Sequence, residues 1–92
     1  MNDRKLNPLT VGAVEEAALF LAKEKGHVTT LDIKEYLRSE GYFAMQSDVS
    51  EFMKQLAIVD CEWSYFFTGS YRIYFNMQFA FQYDIGIVSS LN

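Results

Sequence analysis

Residues 46–76 read QSDVSEFMKQLAIVDCEWSYFFTGSYRIYFN, and the spacing of apolar side chains changes partway along them. Val49, Phe52, Met53 and Leu56 recur at helical intervals, leaving Ser50, Glu51, Lys54 and Gln55 for the opposite face. Ser47 is the expected cap of this helix. From Glu62 onward the period drops to two. Trp63, Tyr65 and Phe67 alternate with other residues, Thr68-Gly69-Ser70 interrupts, and Tyr71, Ile73 and Phe75 alternate again. Two β-prone runs around a short loop containing glycine predict a hairpin over 62–75. A three-residue loop would put both odd-numbered sets on one face, over the core, and turn Phe66 and Tyr74 outward. A helix running directly into a hairpin makes the chain α+β.

Toward the N-terminus the pattern is helical throughout. Asn7-Pro8 reads as a helix start, with Asn as cap and Pro in the first turn, where its missing N–H costs nothing. Val11, Val14, Ala17, Ala18 and Leu21 form the stripe, Lys23 and Lys25 suit the negative end of the dipole, and Gly26 is the expected C-cap, giving a first helix over 7–26. His27-Val28-Thr29 is short and extended. Thr29-x-x-Asp32 resembles a capping box, followed by Ile33, Tyr36 and Leu37 as a buried stripe that Gly41 ends. Toward the C-terminus, odd positions stay apolar through Met77, Phe79, Phe81, Tyr83, Ile85 and Ile87. A single strand from 71 to 87 would run about 55 Å, against a domain diameter of roughly 30 Å. Residues 76–92 are therefore expected as a strand extension that bends, turns back at Asp84-Ile85-Gly86 or reaches a second copy.

Composition narrows the class. The chain has 92 residues, half of them hydrophobic, which suits one domain with a packed core rather than disorder. Its one cysteine, Cys61, excludes an internal disulfide and leaves a thiolate metal site short of ligands, so a reducing, cytoplasmic setting is expected, with no metal and no cofactor. No apolar run approaches the roughly 20 residues that cross a bilayer. The net charge is −4, and the charges are mixed along the chain. Residues 29–40 set Lys34 and Arg38 against Asp32, Glu35 and Glu40, and residues 46–57 set Lys54 against Asp48 and Glu51. Neither segment is the basic patch with which proteins grip phosphate nonspecifically.

The order helix, short strand, helix, turn, helix, hairpin resembles the winged helix-turn-helix superfamily. Within residues 28–57 the spacing of Ile33, Leu37, Gly41, Val49, Ser50 and Leu56 resembles the DNA-binding domain of arginine repressors, and Gly69-Ser70-Tyr71-Arg72-Ile73-Tyr74-Phe75 resembles the wing that follows it there. The resemblance covers roughly residues 8–76. It implies three helices, a wing hairpin and, here, an extra C-terminal strand. It also implies that Gln46, Ser47, Ser50 and Lys54 enter the major groove while Arg72 touches backbone. One departure from that family is serious: Glu51 follows Ser50, where arginine repressors carry an arginine, and a carboxylate facing phosphates must be offset.

Two functions from different classes follow. One is a DNA-binding regulator, a homodimer joined through C-terminal strands by Phe66, Tyr74, Phe79, Phe81 and Tyr83, because the chain carries more aromatic surface than one core can hide. The other is a protein-interaction module without DNA binding, docking on a basic or an apolar partner. Catalysis is not expected. His27 is the only histidine, Glu15 and Glu16 diverge around a helix, and no phosphate-cradling glycine loop or metal-ligand cluster is present in the sequence.

Overall fold

The computed structural model describes residues 5–60 and 62–79. In chain order the elements are α1 (Val11–Lys25), β1 (His27–Thr29), α2 (Thr30–Ser39), α3 (Gln46–Val59), β2 (Trp63–Phe67) and β3 (Arg72–Asn76). The chain is thus α+β, with an antiparallel three-stranded sheet in the order β1-β3-β2.

Local chemistry sets most of the boundaries. α1 begins after Thr10, whose hydroxyl accepts from Ala13 N–H at 3.1 Å. The expected start at Asn7-Pro8 is corrected because the Asn7 backbone is engaged elsewhere. Its N–H donates to Gly41 O and its carbonyl accepts from Phe43 N–H, both at 2.9 Å. Gly26 ends α1 with φ 84°, a left-handed value that glycine takes without penalty. α2 opens with a complete capping box, Thr29 Oγ1 accepting from Asp32 N–H and Asp32 Oδ2 from Thr29 N–H. α3 starts one residue before the expected Ser47 cap, with Met45 in the cap position and no side-chain hydrogen bond there.

The core lies between the helices and one sheet face. Small residues of α1, Ala17, Ala18 and Ala22, let it approach Ile33 and Leu37 of α2 and Val49 and Met53 of α3. Trp63 and Tyr74 close the sheet side. The buried Tyr74 hydroxyl meets Thr30 Oγ1 at 3.0 Å, so neither polar group is left without a partner.

The hairpin register differs from the expected one by a residue. Trp63 pairs with Asn76, Tyr65 with Tyr74 and Phe67 with Arg72, so odd positions of β2 face even positions of β3. The cause is the loop. Thr68 N–H donates to Tyr71 O at 2.9 Å, and Thr68 Oγ1 accepts from Ser70 N–H and Tyr71 N–H at 3.2 Å, while Gly69 takes φ 105°. Thr68 and Tyr71 therefore belong to a four-residue connection, and one extra residue turns β3 over. Tyr74 and Asn76 face the core, while Ile73 and Phe75 lie on the other side, half-buried.

The strand extension is also corrected at its start. β3 ends at the buried Asn76, whose Oδ1 accepts from Gln78 N–H at 3.1 Å, and residues 77–79 are helical. That side-chain bond offers the backbone a turn in place of further sheet pairing. The rest of the expected strand, including Phe81, Tyr83 and the turn at Asp84-Ile85-Gly86, lies outside the described residues. No helix among the described residues is long and apolar enough to cross a membrane. None of their His, Cys, Asp and Glu side chains are grouped to hold a metal ion.

Candidate nucleic-acid interface

The first turns of α2 and α3 and the tip of the hairpin meet around an open cleft of about 770 Å³. Thr29 to Asp32 supply one side, Gln46, Ser47 and Ser50 the second, and Phe67, Tyr71 and Arg72 the third. Four of the five residues expected to contact DNA, namely Gln46, Ser47, Ser50 and Arg72, thus come together from segments about twenty residues or more apart. The helical register explains the α3 contribution, since Gln46 and Ser50 are four apart and Ser47 and Ser50 three.

Arg72 is the hinge of this arrangement. Its Nη1 donates to Ser50 Oγ, and its guanidinium lies 5.4 Å from the centroid of the Tyr65 ring. The four-residue loop puts Arg72 on the same sheet face as Tyr65 and Tyr74, which brings it toward α3. With the three-residue loop it would have pointed the other way. The cation is held by one hydrogen bond and one ring face, a contact of about 0.5–1 kcal/mol for the latter.

Lys54 stands apart from the cleft lining. It lies one turn after Ser50 on α3, with Nζ 3.8 Å from Glu51 Oε1 and both side chains well exposed. Such a pair contributes little and leaves the lysine free to exchange partners. The α3 N-terminus supplies backbone N–H groups with no side-chain cap, a favourable end for an anion. Asp48, in the same turn, and Asp32, occupied by its capping role, set negative charge nearby.

Sequence reasoning missed the apolar part of the cleft. Leu31, Phe67 and Tyr71 are exposed there, although Phe67 and Tyr71 were expected in the core. For Tyr71 the signal is Thr68, whose hydroxyl closes the longer loop and takes Tyr71 out of the strand, whereas Phe67 keeps the sheet face of Trp63 and is exposed. The dimer residues separate as well. Phe66 is 61% exposed, as expected. Tyr74 is corrected: it is fully buried under α2 and cannot serve an outer surface. Phe79 packs partly against the core, and Phe81 and Tyr83 lie outside the described residues. Compared with family models, curated proteins and solved structures, the chain matches none.

Proposed function

We propose that the chain is a winged helix-turn-helix module that binds double-stranded DNA through the α3–hairpin face, as a small intracellular regulator without catalytic chemistry. The observation that carries this reading is the junction of Arg72 and Ser50 across the cleft. It places a hairpin cation beside the exposed first turns of a helix bearing Gln46 and Ser47, whose side chains can both donate and accept hydrogen bonds at base edges. Electrostatics then set the strength. Arg72 lines the cleft with Asp32, and Lys54, one turn after Ser50, is paired with Glu51. Affinity on this reading comes from base contacts and from the pairing of two copies more than from phosphate neutralisation.

A second reading is favoured by the exposed Leu31, Phe67 and Tyr71. They give the cleft an apolar side, and both cations already have partners within the chain, as a site for an apolar segment of another protein requires. Fluorescence anisotropy of a mixed-sequence duplex, titrated with the protein at low and then moderate salt, separates the two. The DNA reading expects binding at low salt that weakens modestly as salt rises. Absence of binding at low salt rejects it and leaves the protein-partner reading.

A further inference from the structure

We infer that the edge of β2 with which no described strand pairs joins antiparallel to β2 of a second copy, centred on Phe66, to make one continuous sheet of the six described strands. This goes beyond the DNA reading and stands or falls independently of what the cleft binds.

The backbone decides the geometry. Met77 N–H donates to Glu62 O, and Thr68 N–H donates to Tyr71 O. The residues of the hairpin that exchange ladder bonds with β3 are therefore 62, 64, 66 and 68. Antiparallel bonding alternates, so Trp63, Tyr65 and Phe67 aim their N–H and C=O groups away from β3. Trp63 N–H is taken by Asp60 O at 3.0 Å. Tyr65 and Phe67 are left, each with one outward donor and one outward acceptor, and among the described residues no strand pairs with that edge.

Those four groups are self-complementary in one register. If Phe66 stands opposite Phe66 of the second copy, Tyr65 of each copy faces Phe67 of the other. Each such pair then exchanges two N–H···O=C bonds. Centring the pairing on Tyr65 instead would set Phe67 against Trp63, whose N–H is already used. The two-fold axis would pass through a pair without ladder bonds, the closer kind, where facing side chains meet most directly. Phe66 is 61% exposed and Tyr65 and Phe67 are also exposed, so aromatic surface is available at every facing position.

A second copy is the occupant because nothing in the strand opposes it. Residues 63–67, WSYFF, contain no charge, no proline and no glycine, the devices by which edge strands avoid one another. A charged residue near the axis would face its own copy, and none is there. The contact also closes on itself, since each copy uses the same edge. β1, the other edge strand, spans only three residues.

The test is sedimentation of the full chain across the micromolar range, with Phe66→Lys and Phe66→Glu as variants. Far-UV circular dichroism checks that both keep the fold, which is expected for an exposed position. Wild type should sediment at twice the chain mass, and each variant alone at the chain mass. Equimolar mixing of the two variants should restore the dimer, because the opposite charges then face each other. A monomeric wild type, or a Phe66→Lys variant that stays dimeric, overturns the inference. Variants that remain monomers after mixing remove residue 66 from the axis and overturn the register.

Discussion

Tyr74 carries information that its residue type does not. An aromatic residue in a β-hairpin can face either side, and here the phenol is buried with its hydroxyl on Thr30. Tyr74→Phe removes that partner and leaves the Thr30 hydroxyl buried and unsatisfied. The expected cost is about 1–2 kcal/mol, read as a lower urea midpoint at unchanged slope. Were Tyr74 on the outer face, the same change would leave the midpoint where it was. Arg72 works the same way at the cleft. Arg72→Ala should weaken duplex binding and lower the steepness of the salt dependence by about one unit, the signature of one lost phosphate contact. An unchanged slope would remove Arg72 from the DNA surface.

Among the elements, the two helices that border the cleft are capped unequally. Thr29 and Asp32 satisfy each other's backbone at α2, whereas Met45 caps α3 with no side-chain bond. Thr29→Ala should therefore destabilise the chain by about 1 kcal/mol, in the range measured for lost caps. Met45→Ser should do the reverse by roughly 0.5–1 kcal/mol, because Met45 already has the extended backbone of a cap residue. Thermal melts of the two variants should move in opposite directions. A destabilised Met45→Ser chain would mean that the partly exposed Met45 packs more tightly than its exposure suggests. The apolar periodicity had already located all three helices. Their first residues were less legible at α1 and α3, since a cap is chosen by where the backbone's partners lie. Asn7 shows this, its backbone being bound to 41–43 instead of opening a helix.

At the scale of the whole molecule, charge and surface have to be weighed together. A net charge of −4 opposes DNA globally, so the proposed reading rests duplex binding on the local arrangement of Gln46, Ser47, Ser50, Lys54 and Arg72. Gln46→Ala combined with Lys54→Ala should abolish measurable binding while leaving the melting temperature within about 1–2 °C, as exposed positions usually do. Retained binding would move the DNA surface off α3. Pairing through β2 would place two such faces about one axis, which is how a weakly charged module gains affinity by acting twice.

The sequence by itself determined the class of the chain, the number and order of its described elements, and most of the core stripe. Those depend on the periods 3.6 and 2, which each segment shows without reference to any other. It also named four of the residues that gather at the cleft, since they lie on predictable faces of α3 and the hairpin. Only the tertiary structure decided which way β3 faces. That choice turned on whether Thr68 and Tyr71 belong to the loop or to the strands, a difference of one residue settled by the Thr68 hydroxyl and by the fit of Tyr74 against Thr30. From it follow the burial of Tyr74, the placing of Arg72 beside Ser50, and the exposure of Tyr71 in the cleft. A strand's period tells which residues share a face, but packing against the helices chooses the face that is covered.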